Sequence, residues 1–373
     1  MTINCPNAAP ITVTFGYLSP SVIQAPVNGT IVFFNGGDGT SPAGDATGTP
    51  NAETDMAGYY FGQGYEIVQL AWASPWEATD VPGSPGNPYP GNVQNAACRP
   101  ATFLNYVYNN IYNLISNPNN GGNSKAGMCA QGASAGSAQV AYSLAYYGAG
   151  NWLDNVELIS GPVLADIEQG CEEPAPPNVT ICPSGQLGCQ LGGGSTWNLA
   201  PTYLSGANSG VSKWTYLQGC GASGVTSQVL DLAWQGQSIV DNGPASGGAA
   251  PTFYYPTTAM SAWLCRSLQG QLQNCSGTNY DPEHCPNNSS PQGERFYSQI
   301  TQANTNYNVY AVDLCGGPEG AANTQSNVPG FYPAVFGNGI SGTINGYNAI
   351  TYDMAGPPPN LNLPVSAQCK HPQ

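Results

Sequence analysis

The stretch Met128 to Ala138, MCAQGASAGSA, constrains this chain more than any other. It holds Gly132-x-Ser134-x-Gly136, the spacing of a sharp strand-to-helix turn whose small neighbours let a serine hydroxyl stand clear of the backbone. The run before it, Ala126 to Ala130, is short and mostly apolar, as a buried strand is. The run after it, Ser137 to Tyr147, is free of Gly and Pro until Gly148, as a helix requires. A chain with 48 glycines meets G-x-S-x-G by chance, so the flanks carry the inference. A turn of small residues that only packs a helix tightly on a sheet would read the same way.

What surrounds that turn is bounded by composition. A chain of 373 residues can bury a large core, either as one large α/β domain with insertions or as two domains. The net charge is −15, and the only basic residues are Arg99, Lys125, Lys213, Arg266, Arg295 and Lys370. No basic patch can be assembled from them, which argues against nucleic acid and anionic membranes as partners. Only 7% of residues are charged, so the surface gets little help from charge in staying dispersed, and self-association is left open. The 12 cysteines are scattered without a C-x-x-C pair, and there are only two histidines. That pattern reads as four or more disulfides rather than a zinc site, and it implies an oxidising compartment, secreted or at the cell surface. Sequons at Asn28, Asn178, Asn274, Asn287 and Asn288 fit this compartment. No apolar run approaches the length of a membrane span. The first residues, MTINCPNAAP, lack a signal-peptide pattern, so the chain reads as a mature form.

Along the chain, strands alternate with helices. Ile11 to Tyr17 alternates apolar and polar residues as an edge strand would, whereas Gly29 to Phe34 is continuously apolar, as a strand buried on both faces is. The second runs into a glycine-rich loop, Asn35-Gly36-Gly37-Asp38-Gly39-Thr40. A short helix is expected over Thr54 to Gly62 and a strand over Tyr65 to Trp72. After a long Pro/Gly/Asn-rich loop, a helix is expected from Pro100 through Phe103, Val107, Ile111 and Leu114. Further strands are expected at 156–160, 259–265 and 308–315, with a helix at 296–301. This order predicts an α/β fold with a doubly wound, mostly parallel sheet. It divides the chain into an N-terminal part of the core (1–170), a Cys/Gly-rich insertion capping the sheet's active edge (171–250), and the C-terminal part of the core with its tail (251–373). The tail from Gly356 is expected to be pinned by Cys369.

The order of parts, with Phe33-Phe34-Asn35-Gly36-Gly37 and Gly132-Ala133-Ser134-Ala135-Gly136 at their separation, resembles the α/β-hydrolase superfamily, specifically its secreted serine esterases and depolymerases. The resemblance implies that Ser134 is a nucleophile and that backbone N–H groups of Gly37 (or Gly36) and Ala135 form an oxyanion hole. Asn35 departs from the histidine–glycine form of the family's loop and bears on loop support.

A base must be His284 or His371, the only histidines. In the superfamily the histidine usually follows the last core strand. Here that loop reads Cys315-Gly316-Gly317-Pro318-Glu319-Gly320, with Glu319 roughly where histidine is expected. His284 leaves the carboxyl end of an expected strand, and His371 reaches the site only if the tail doubles back. The resemblance places the acid at Asp166, with Asp281, Asp313 and Glu319 as alternatives. The implied activity is cleavage of neutral or hydrophobic carboxylic esters, small or polymeric, without a cofactor or metal. The alternative is a catalytically impaired hydrolase fold serving as an extracellular structural or self-assembling surface protein.

Overall fold

The computed structural model describes residues 1–20, 27–43, 57–58, 60–77, 93–115, 117, 119, 125–133, 135–159, 161–162, 164–165, 235–240, 242, 249–264, 296–297, 299–300, 303, 309–313, 331–333 and 369–371. Among the described residues nine strands form one sheet: β1 (Thr2–Cys5), β2 (Ala8–Leu18), β3 (Gly29–Phe34), β4 (Tyr65–Trp72), β5 (Gly127–Ala133), β6 (Asn155–Ile159), β7 (Ala259–Leu264), β8 (Val309–Asp313) and β9 (Phe331–Pro333). Their order is β1-β2-β4-β3-β5-β6-β7-β8-β9. From β4 to β9 neighbouring strands pair in parallel, while β2 is antiparallel to both β1 and β4.

Every residue of β3 is buried, which is why its continuous apolar run sits at the sheet's middle. In β2, Ile11 and Val13 face the core between exposed Thr12 and Thr14, the expected alternation. It is not the edge, however: the four-residue β1 covers it, too short for its period to be read, and the Cys5–Cys98 disulfide ties β1 to the helix that begins at Cys98. The three-residue β9 escapes the sequence reading for the same reason.

Helix α1 (Cys98–Val107) continues through a π-helical turn, Tyr108–Tyr112, and α2 (Ala135–Tyr147) follows β5. Phe103, Leu104 and Val107 of α1 and Ala138, Val140 and Leu144 of α2 join one core with Val32, Leu70, Met128, Val156 and Leu158 of the sheet. The π turn adds a residue to the helical repeat and turns the apolar stripe off the sheet, so Leu114 is 68% exposed rather than packed as its spacing suggests. Residues 57, 58 and 60–62 are helical, and the turn that ends the helix is at 63–64.

Strand order reverses at β3, whose neighbours are β4 on one side and β5 on the other. In open α/β sheets the crevice beyond the carboxyl ends at such a reversal is where ligands bind. The loops after β3 and β5 open into it. Of the insertion expected at 171–250, only residues 235–240, 242, 249 and 250 are described. They include Gln237 and Ser238, whose carbonyls accept hydrogen bonds from Tyr142 and Tyr146 of α2.

Candidate active site

Two glycines make the turn after β5 possible. A Cβ on Gly132 would stand 2.4 Å from the Gly136 carbonyl oxygen, and one on Gly136 would stand 2.1 Å from the carbonyl oxygen of Phe34 and 2.8 Å from that of Asn35. No side chain fits at either position, so the first turn of α2 lies directly against the end of β3. The register agrees, pairing Phe34 with Gly132. This close packing sets Ala135, the first residue of α2 and 1% exposed, beside the loop after β3. Ser134 lies outside the described residues, between Ala133 at the end of β5 and Ala135 at the start of α2.

The β3 loop is held by its own side chains. The Asn35 Oδ1 accepts from the Gly36 N–H at 2.8 Å, and its Nδ2 donates to the Ser41 carbonyl at 3.1 Å. Asp38 Oδ1 accepts from the Thr40 N–H at 3.0 Å and the Thr40 hydroxyl at 2.6 Å. Gly37 has φ of +60°, a left-handed conformation that favours glycine. The two candidate oxyanion donors thus differ. The Gly36 N–H is already engaged by Asn35, whereas the Gly37 N–H has no hydrogen-bond partner among the described residues. The departure to Asn35 serves loop support, which a hydrogen-bonding side chain at this position performs.

Beneath the loop, the Trp76 N–H donates to the Asp38 carbonyl at 3.2 Å, and Arg99 Nη1 donates to the Trp76 carbonyl at 2.6 Å. Glu77, 1% exposed, follows. Burial pushes its carboxyl up to about 8, with Asp38 raising it further and Arg99 opposing the shift. Its Oε2 has no hydrogen-bond partner among the described residues. Sequence reasoning passed over Glu77 because nothing in its Ser/Pro/Gly-rich surroundings suggests a buried position.

His371 is at the other end of the sheet. Its N–H donates to the Lys125 carbonyl at 3.1 Å, Lys370 bridges Ala126, and Cys369 is bonded to Cys129 of β5. The imidazole Nδ1 lies 2.9 Å from Asp154 Oδ1, and Asp154, just before β6, also accepts from the Met128 N–H at 2.8 Å. Burial raises the Asp154 carboxyl to about 6, with the Met128 N–H and His371 opposing it. The tail does double back, but onto the amino edge. The length of β5, about 20 Å for the six rises of roughly 3.3 Å between its first and last residues, lies between the amino end, where His371 sits, and Ala133. The Cys129–Cys369 disulfide and the Asp154 contact thus hold His371 at the amino edge of the sheet, away from the turn after β5.

Of the remaining candidates, Asp313 ends β8 at the carboxyl edge, and Asp166 directly follows buried Ala165 beyond β6. Asp166, His284, Asp281 and Glu319 lie outside the described residues. So do eight of the twelve cysteines; the four described ones form Cys5–Cys98 and Cys129–Cys369, the chemistry of an oxidising compartment. Among the described residues no helix is long and apolar enough to cross a membrane.

No family model and no curated protein matches the sequence. Among solved structures, the chain is similar to brefeldin A esterase, described as a bacterial homologue of human hormone-sensitive lipase, at 14% identity and a TM-score of 0.38, covering 83% of this chain and 66% of that one. It is similar to an α/β-hydrolase enzyme from the metagenome of Lake Arreo at 12% identity and a TM-score of 0.44, covering 95% and 80%. A thermostable carboxyl esterase from Bacillus coagulans aligns at 12% identity and a TM-score of 0.38, covering 83% and 87%. The doubly wound sheet itself, its reversal at β3, the strand–turn–helix at Gly132 to Gly136 and the glycine loop beside it give this chain the α/β-hydrolase fold.

Proposed function

We propose that the chain is a secreted serine hydrolase of carboxylic esters acting through an acyl-enzyme on Ser134. The observation that supports this reading is the packing of Gly136 against the Phe34 and Asn35 carbonyls, which brings the start of α2 against the loop after β3. His284 is the base and Asp166 the acid that orients it. The Ser134 hydroxyl attacks the ester carbonyl carbon while His284 takes its proton. The oxyanion receives the N–H groups of Gly37 and Ala135, donors of a kind whose single removal costs on the order of 3 kcal/mol of transition-state stabilisation. Collapse expels the alcohol, which takes the proton from His284, and water releases the acid by the same route. The scarcity of basic residues favours neutral or hydrophobic substrates, small or polymeric, over phosphorylated or acidic ones.

A second reading rests on Glu319 in the loop where the superfamily places its histidine: a hydrolase fold kept as an extracellular structural or self-assembling protein. A fluorophosphonate probe separates the two. The hydrolase reading expects the label on Ser134 by mass spectrometry, lost in His284→Ala and retained in His371→Ala. An unlabelled Ser134, together with p-nitrophenyl esters of several chain lengths left intact, overturns it in favour of the second.

A further inference from the structure

Within the hydrolase reading, on which this step rests, we infer that Gln139 is a positioning residue that sets the β3 loop, and with it the Gly37 amide, against the nucleophile turn. Gln139 lies one helical turn beyond Ala135 on α2 and is fully buried. Side chains four residues apart share a helix face and lean toward its N-terminus, which aims this amide back at the turn. There it bridges two elements. Its Nε2 donates to the Asn35 carbonyl at 3.3 Å, and its Oε1 accepts from the Trp72 indole Nε1–H at 2.7 Å.

Both partners are single-valued. An indole N–H only donates and a carbonyl only accepts, so one orientation of the amide satisfies both, and among side chains of this size without an ionisable group only glutamine supplies the same pair. Trp72, which ends β4, holds the far side of the same loop: its backbone N–H donates to the Gly39 carbonyl at 2.9 Å. A Cβ on Gly39 would stand 2.8 Å from Trp72 Cδ1 and 3.1 Å from Gln139 Nε2, so the loop closes around the pair. Asn35 and Gly39 are thus both fixed to the Gln139–Trp72 unit, and Gly37 is the midpoint between them. A buried primary amide is costly unless both its halves are partnered. An apolar residue would serve the core at least as well if packing were the only requirement.

The test compares Gln139→Met and Gln139→Glu with Trp72→Phe in the full chain. Gln139→Met keeps the bulk and loses both hydrogen bonds; Gln139→Glu keeps the acceptor for Trp72 and, assayed at a pH high enough to ionise it, sets a carboxylate against the Asn35 carbonyl. Folding is checked by near-UV circular dichroism. The readouts are kcat and KM for p-nitrophenyl butyrate and the affinity for phenylboronic acid, whose tetrahedral serine adduct needs the oxyanion donors. The expected result is a loss in kcat of about 10–100-fold with KM within about twofold, the scale of a small misplacement at a reacting centre. Boronate affinity falls in parallel, and both losses are shared by Trp72→Phe, which keeps the aromatic bulk and serves should Gln139→Met not fold. A folded variant with wild-type kcat and boronate affinity overturns the inference while leaving the hydrolase reading intact. A wild-type protein that neither hydrolyses the ester nor takes up a fluorophosphonate overturns the hydrolase reading, and the inference with it.

Discussion

Glu77 shows how one residue can hold a pH dependence inside the fold. Buried behind the Asp38 carbonyl, its carboxyl keeps a proton up to about 8 in the folded chain, against 4.5 as its ordinary value. Between those values the folded state holds a proton that the unfolded state has released, so stability falls as pH rises through that window and levels off above it. The slope approaches roughly 1.4 kcal/mol per pH unit where the two states differ by a whole proton. Glu77→Gln replaces the carboxyl with an isosteric neutral group. Thermal melts at pH 5 and pH 8 are expected to show a clear drop in Tm for the wild type and a much smaller one for the variant, with the variant the more stable at pH 8. Equal drops in both would show that Glu77 is not the group responsible.

At the scale of elements, β5 is anchored at both ends by different means. Its carboxyl end turns at Gly132 and packs α2 on β3, while its amino end is clamped by the chain's last residues through Cys129–Cys369, the Ala126–Lys370 bridge and the His371–Asp154 pair. The disulfide spans 240 residues, for which loop-closure entropy gives on the order of 5 kcal/mol of stabilisation. Cys369→Ala with Cys129→Ala is expected to lower Tm by on the order of 10 °C in differential scanning calorimetry under non-reducing conditions. Labelling of Ser134 at 25 °C should persist in that variant, because the clamp lies the length of β5 away. Loss of labelling in a folded variant would contradict that separation.

For the whole molecule, 21 acidic residues against six basic ones leave a charge of −15 and few ion pairs to draw on. Repulsion between copies vanishes as carboxylates take up protons, at roughly pH 4. Light scattering is expected to give one species at pH 7 and growing assemblies near pH 4. Assemblies already present at neutral pH and low concentration would favour the structural-protein reading.

How much of this was legible in the sequence depends on whether the signal is local. Strand β3, strand β4, the close packing at Gly132 and Gly136 and helix α2 could be read directly, because burial on both faces, helix-compatible residues and obligatory glycines are written into adjacent positions. The sequence by itself therefore determined the α/β class and the tight glycine-flanked turn between β5 and α2. Only the tertiary structure decided that β1 covers β2, that the π turn rotates Leu114 outward, and that Asn35 engages the Gly36 amide while the Gly37 amide has no partner among the described residues. It alone tied Cys369 to Cys129 and so placed His371 at the amino edge, and it alone joined Gln139 to Trp72 across 67 residues. These are contacts between residues far apart in the chain, set by how the sheet winds, and no window of neighbouring residues contains them.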